Sequence, residues 1–331
     1  MDSLSQICLG AAVSTLFMGR SVPLKQAMLW GAVAGTLPDL DVLFDAGDAI
    51  ANMVSHRAHT HAPFYLALFS PLLAWLVCIL QRQQQLYPRW LLAISLVLIT
   101  HPLLDVMTIY GTRLGLPFTD TPFGIGSIFI IDPLYTLPLL AGLIFAMSKP
   151  KRSIKASAWG LTVSSLYLLW SFSAQQMVLQ RAKALLPAPT VQSSQNLPIT
   201  QRVLVTPTPF NTLLWRILIM TEHGYYEGFY SLLNGTRDIQ YQFYPQNIEL
   251  RQRHASHPDI ARIAAFSHGF YGLEQQGDNL ILSDLRMGLR ENYAFTFQVT
   301  ADASMPAKAL PRAYDMGTTL RWMQQQLIMT G

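Results

Sequence analysis

Long apolar stretches broken by short polar interruptions fill the first half of the chain, and strand-length patterns replace them in the second. Six apolar segments can be drawn, at about 3–19, 26–38, 62–80, 89–107, 128–147 and 156–175. Residues 3–19, 62–80 and 156–180 contain no Asp, Glu, Lys or Arg, while 90–107 and 121–148 contain one acid each. A helix needs ~20 apolar residues to cross a hydrocarbon core ~30 Å thick, so most of these segments qualify as spans. The second is short, and spans only with local thinning or lies half-inserted. Beyond about residue 181 charges return at ordinary density.

The pattern therefore predicts an α-helical multi-pass membrane domain over 1–175, a linker over 176–200, and a small soluble α+β domain with an antiparallel sheet over 201–331. Gln, Ser and Leu186-Pro187-Ala188-Pro189 mark the linker. Strand patterns follow at Arg202–Val205, Leu213–Met220, Tyr225–Leu233, Ile239–Tyr244, Asn279–Ser283 and Tyr293–Val299. His223-Gly224 and Gln276-Gly277-Asp278-Asn279 read as turns, and Pro258–Phe266 and Ala313–Met329 have helical spacing. No internal repeat is visible. The start lacks the basic n-region and small-residue cleavage site of a signal peptide, so the first apolar segment is expected to be retained.

Basic residues orient the domain. Arg20 and Lys25 lie in the first loop, Arg82 and Arg89 flank the third, and Lys149, Lys151, Arg152 and Lys155 surround the fifth. The intervening loops hold only Arg57 and Arg113. The positive-inside rule places the odd loops in the cytoplasm, and the even loops, the N-terminus and the C-terminal domain on the other side.

Composition narrows the classes. The chain is 51% hydrophobic and 13% charged, against roughly 25% charged for an ordinary soluble domain. Its net charge of +4 resides largely in short inter-segment loops, so nucleic-acid binding is not expected. Cys8 and Cys78 fall inside apolar segments and read as small buried hydrophobes, neither a disulfide framework nor a thiolate metal site.

Against this apolar background three polar motifs stand out: Pro38-Asp39-Leu40-Asp41, His56-Arg57-Ala58-His59-Thr60-His61 and His101-Pro102-Leu103-Leu104-Asp105. Ionisable groups near bilayer depth are costly and are retained where they pair or bind. Imidazoles with carboxylates suit divalent metals. On a helix, His101 and Asp105 share a face one turn apart. Asp39 and Asp41 end the second segment, where acids oppose the helix dipole and favour a nearby cation. In the middle motif His56 and His59 share a face if it is helical, His59 and His61 if it is extended. Arg57 can neutralise a substrate phosphate or carboxylate. Asp132 reads as a helix cap before Pro133 or as a site carboxylate, and Asp2 as a cap. By the basic-residue topology all three motifs fall on the same outer face.

Together these residues resemble a known family, the predicted inner-membrane, metal-dependent hydrolases of bacteria, a multi-pass group whose domain has no assigned function. The resemblance runs over roughly residues 1–170. Its motifs are Met1-Asp2-Ser3-Leu4-Ser5-Gln6 with Leu9-Gly10-Ala11-Ala12, Gly35-Thr36-Leu37-Pro38-Asp39-Leu40-Asp41, and His56-Arg57 with Thr60-His61. Further along are His101-Pro102-Leu103-Leu104-Asp105, Tyr110-Gly111-Thr112 with Pro117-Phe118, and Ile131-Asp132-Pro133. It implies that Asp39, His56, His61, His101 and Asp105 are metal or catalytic residues, with Asp41 and Asp132 as neighbours. Ser5-Gln6 stands where some members carry Thr-His, and Ala62 where Ser is usual.

The resulting expectation is a multi-pass protein of the bacterial inner membrane with its C-terminal domain in the periplasm. Asp39, His56, His61, His101 and Asp105 are the expected ligands of a divalent metal, zinc ahead of manganese. Asp41, Asp132 and Arg57 are the expected catalytic groups. The activity expected is hydrolysis of a phosphoester or lipid-linked, amphiphilic substrate drawn from among membrane lipids. The alternative is a metal-handling or transport protein without hydrolytic activity. The sequence does not name the substrate or the oligomeric state.

Overall fold

The computed structural model describes residues 1–185, 202–234, 239–290, 292–311 and 316–329. Two compact units emerge, one of residues 1–45 and 55–170, the other of residues 46–54 and 171–331. The helices in chain order are α1 (Ser3–Met18), α2 (Leu24–Thr36), the short α3 (Ala49–Ser55), α4 (Pro63–Gln81), α5 (Tyr87–Val106), α6 (Pro133–Ser148) and α7 (Ser153–Ala184). Each apolar segment of the sequence thus becomes a helix.

In the first unit α1 packs on α2, α5 and α6, and α4 packs on α5. Small residues make the α1–α2 approach possible. A Cβ on Gly31 would stand 2.3 Å from the Gly10 carbonyl oxygen, and one on Gly10 would stand 2.2 Å from that of Gly31. Gly31 and Gly35 form the small-xxx-small spacing that lets helix backbones meet in lipid. The core between helices is apolar, with Trp90, Ile94, Val97 and Leu98 of α5 against Leu73, Ala74 and Val77 of α4. The outside is apolar as well: Leu68, Leu72, Trp75 and Leu80 of α4, Leu137 and Ile144 of α6, and Leu166 and Leu169 of α7 are all exposed. A helix apolar on every side belongs in a membrane. Two of the described helical stretches, Pro63–Gln81 and Gln84–Val106, are long and apolar enough to cross one.

Polar side chains mark the two ends of this bundle. At one end Gln26 and Gln83 exchange amide hydrogen bonds of 3.2 and 3.3 Å, Trp90 Nε1 donates to Gln83 at 3.3 Å, and Arg89 donates to Ser21. The three His/Asp motifs gather at the other.

The second unit holds β1 (Arg202–Pro207), β2 (Leu214–Met220), β3 (Gly224–Ser231), β4 (Tyr241–Pro245), α8 (Ile248–Arg253), α9 (Pro258–Phe266), β5 (Tyr271–Gln276), β6 (Asn279–Asp284), β7 (Gly288–Leu289), β8 (Asn292–Tyr293), β9 (Thr296–Thr300), β10 (Lys308–Ala309) and α10 (Met316–Met329). One antiparallel sheet was the expectation; two four-stranded ones form, ordered β1-β2-β3-β4 and β10-β9-β6-β5, with a β7-β8 ribbon. Among the strands the pattern missed, β5 is Tyr-Gly-Leu-Glu-Gln-Gln, too polar at its end to show a strand period, and its pairing with β6 defines it. Strand β2 is buried throughout. Trp215, Ile217 and Ile219 pack with Ala174, Val178 and Ala182 of α7, while Leu218 and Met220 face Phe270 and Leu285. The expected linker at 176–200 begins as helix, because Gln176–Ala184 contains good helix formers and no proline. The rest of that linker, from 186, lies outside the described residues.

Candidate metal centre

Three chain segments meet at the polar end of the first unit. A 3₁₀ turn at Pro38–Leu43 follows α2 and carries Asp39 and Asp41. A second, His59–His61, leads into α4, where extended Ala62 precedes Pro63 in the first helical turn. His101 and Asp105 lie on the last two turns of α5, on one face.

One atom from each of Asp39, His61, His101 and Asp105 lies within 4.8 Å of all the others. His61 Nε2 stands 3.1 Å from His101 Nε2, 3.3 Å from Asp39 Oδ1 and 3.2 Å from Asp105 Oδ2. His101 Nε2 is 3.4 Å from both carboxylate oxygens. A tetrahedron with metal–ligand bonds of about 2.1 Å has edges of about 3.4 Å. The five distances match those edges. Three of the four residues are sealed from solvent, and Asp39, 20% exposed, forms the open edge.

The surrounding hydrogen bonds settle which atoms carry protons. His101 Nδ1 lies 2.7 Å from the Gly35 carbonyl oxygen, which only accepts, so Nδ1 bears the hydrogen and neutral His101 presents a bare Nε2. For His61 the relay is longer. The Thr60 hydroxyl donates to Asp41 Oδ2 at 2.7 Å, leaving its oxygen to accept from His61 Nδ1 at 3.0 Å. Neutral His61 therefore also presents a bare Nε2. Asp105 divides its oxygens: Oδ1 receives Gln6 Nε2 at 3.2 Å, the Arg57 guanidinium at 3.3 Å and the Met1 amino group, while Oδ2 accepts no hydrogen bond among the described residues. Two imidazole lone pairs and two carboxylate oxygens facing one another repel unless a proton or a metal cation sits between them. The donor set, spacing and proton positions fit a divalent metal.

Asp41 organises the loop that delivers His61. It accepts from His56 Nδ1 at 2.7 Å, from the Arg57 backbone N–H at 3.0 Å and from Thr60. Burial pushes its carboxyl upward, but the bonds from His56, Thr60 and Arg57 outweigh that and hold it below the usual carboxylate range. Arg57 has a left-handed backbone, φ +63°, a conformation costing of order 1–3 kcal/mol for a non-glycine residue. Asp41 on its N–H and the Arg113 N–H on its carbonyl at 3.0 Å hold it there.

The structure thus brings together Asp39, His61, His101 and Asp105 of the expected ligands. His56 stands outside that group of four, paired with Asp41, its ring centroid 5.8 Å from that of His61. His59 packs against Tyr65 instead. Arg57 is 2% exposed and braces Asp105, with its other contacts to Thr108 at 3.1 Å and over the Tyr110 ring at 4.9 Å. Asp132 caps α6, accepting from Leu134 N–H at 2.9 Å and the Tyr167 hydroxyl at 2.8 Å. Asp2 caps α1. Sequence reasoning passed over Thr60 and the Gly35 carbonyl. Thr60 was visible as the hydroxyl between two histidines; a backbone carbonyl leaves no sequence signal.

No curated protein and no solved structure matches the chain. The model of the YdjM inner membrane protein family matches residues 1–178, more than half of the 331, and the protein belongs to that family.

Proposed function

We propose that the protein is a multi-pass, membrane-bound, metal-dependent hydrolase whose centre is held by Asp39, His61, His101 and Asp105. The observation that carries this reading is the convergence of two imidazole Nε2 atoms, both left bare by the bonds at Nδ1, with two carboxylate oxygens at tetrahedral spacing. Two nitrogens and two oxygens suit zinc first and manganese second. A divalent ion bound there, taking water or substrate as a further ligand from the exposed Asp39 side, would polarise a phosphoryl or acyl oxygen and make that water a nucleophile at neutral pH.

The chain's own groups supply the rest. Asp41 fixes the His56 ring with its proton on Nδ1, which leaves Nε2 able to take a proton from attacking water. His56 is thus read as a base beside the centre and not as a ligand. Arg57 steadies Asp105, and Asp132 serves α6. Solvent and substrate approach on the Asp39 side, the one exposed edge. The positive-inside pattern of the basic loops supports a periplasmic side for this end of the bundle and for the C-terminal domain.

The test is metal content followed by turnover. Wild type purified without chelator should hold one divalent ion per chain. Asp39→Ala, His61→Ala and His101→Ala should each lose it while remaining folded, and His59→Ala should retain it. Wild type with zinc or manganese in detergent should cleave phosphodiesters, and His101→Ala should not. A folded, metal-free wild type removes the centre; a metal-loaded wild type inert on phosphodiesters and phospholipids favours metal handling.

A further inference from the structure

The turn that supplies Asp39 and Asp41 also carries an apolar strip facing outward. Asp39 and Asp41 point inward, while Leu40, Val42, Leu43 and Phe44 are exposed, Leu43 and Phe44 to 76% each. Across the site end, Phe118 is 81% exposed and stacks edge-on with Phe64 at 5.6 Å. Water is a poor solvent for such a rim, and monomeric proteins rarely keep contiguous patches of this kind without an occupant.

The depth of the centre identifies the occupant. Helix α5 has 20 residues, about 30 Å, which equals the thickness of the hydrocarbon core. His101 lies five residues before its last residue, Val106, about 7.5 Å from that end. His61 stands two residues before Pro63, the first residue of α4. Asp39, 3.3 Å from His61 Nε2 and 3.4 Å from His101 Nε2, holds Leu40–Phe44 at this same boundary. Family membership supplies the membrane.

We infer that Leu40, Val42, Leu43 and Phe44 form a lipid-inserted rim, dipping into the acyl region of the phospholipid bilayer beside the metal centre. The inference rests on the hydrolase reading only for its consequence: the substrate is a membrane-resident phospholipid-like amphiphile, presented headgroup first. Apolar side chains at the interface reach about 5–10 Å into the headgroup/acyl boundary, so a rim inserted there puts the adjoining open edge at Asp39 at headgroup level. A soluble ester would gain nothing from that placement.

Leu43→Cys and Phe44→Cys, each carrying a nitroxide, test the contact in proteoliposomes of phosphatidylethanolamine and phosphatidylglycerol. Both replaced side chains are exposed, and native Cys8 and Cys78 are buried. Both labels should collide with dissolved oxygen more than with a water-soluble nickel chelate, with the reverse at Asp302→Cys in the C-terminal domain. Labels dominated by the chelate show water at the rim and overturn the proposal. Labels shielded from both show a protein cover, such as a second copy, and overturn it too. In a second arm, Leu43→Gln with Phe44→Gln should release headgroups from vesicle phospholipid about tenfold more slowly, relative to its own rate on a water-soluble phosphodiester. An unchanged ratio overturns the substrate consequence. Lipid-contacting labels on a protein inert toward both esters would overturn the hydrolase reading and leave the rim standing.

Discussion

Thr60→Val isolates the relay that sets the His61 tautomer, because it keeps the shape of the side chain and removes only its hydroxyl. That hydroxyl joins Asp41 Oδ2 at 2.7 Å to His61 Nδ1 at 3.0 Å. Without it, nothing at Nδ1 selects the tautomer with a bare Nε2, and part of the metal's binding energy is spent on choosing it. Loss of such an outer partner costs ~10–100-fold in metal affinity, or about 1.4–2.8 kcal/mol. The structure places this case near the lower figure. Asp41 Oδ2 is itself 3.6 Å from His61 Nδ1, so a small ring rotation can recruit the carboxylate directly. Asp41→Asn has no such recourse and also loosens His56 and the Arg57 backbone, so it should approach hundredfold. Zinc affinity measured in detergent against a competing chelator is the assay, with Thr60→Ser expected to remain within about twofold of wild type. Wild-type affinity in Thr60→Val, or a Thr60→Ser as weak as Thr60→Val, would refute the relay.

Further outcomes follow from the same geometry. Gly31→Ala must force α1 from α2, since its Cβ would meet Gly10 O at 2.3 Å and Ser14 Cβ at 2.5 Å; thermal unfolding should show a loss of about 1–3 kcal/mol. Because Gly35 O anchors His101, its zinc affinity should fall as well. A reporter fused after Met329 should be active outside the cytoplasm and one fused at Pro150 inside, and reversed activities would remove the shared outer-face placement. In oriented proteoliposomes a membrane-impermeant chelator should strip the metal from the side bearing the C-terminal domain and leave it untouched from the other; stripping from both sides would indicate a path through the bundle.

How much of this could be read from residues alone depended on the length scale of each signal. The helices were legible because a charge-free run such as 62–80 has few alternatives to a span, and α4 occupies Pro63–Gln81. The spacing of His101 and Asp105 was legible because a helix fixes its own geometry. The His56–His61 stretch was not, because it is neither helix nor strand: a left-handed Arg57 and a 3₁₀ turn send His61 inward and His56 toward Asp41. No period predicts that. The family resemblance carried the inner-membrane assignment, which the family match bears out. In the second unit the pattern gave the strands β1 to β4, β6 and β9 but not the division into two sheets, which depends on pairing between β5, β6 and β9.

The arrangement of polar groups along the bundle also weighs the enzyme reading against transport. An ion path needs ligating groups at intervals through the membrane, because each dry stretch carries a large desolvation cost. Here the His and Asp side chains are concentrated at one end, and the opposite end offers Gln26, Gln83 and Trp90. Between them, α4 and α5 meet through Leu73, Ala74, Val77, Ile94, Val97 and Leu98. Among the described residues, the side-chain polar contact midway across this α4–α5 interface is one hydroxyl pair, Ser70 with Ser95 at 2.9 Å. Two hydroxyls do not replace the hydration shell of a divalent cation, so an ion held by Asp39, His61, His101 and Asp105 has no onward step through the α4–α5 interface. A metal fixed at a membrane boundary, with one edge open to solvent and a carboxylate-oriented imidazole beside it, is better suited to acting on a neighbouring molecule than to moving.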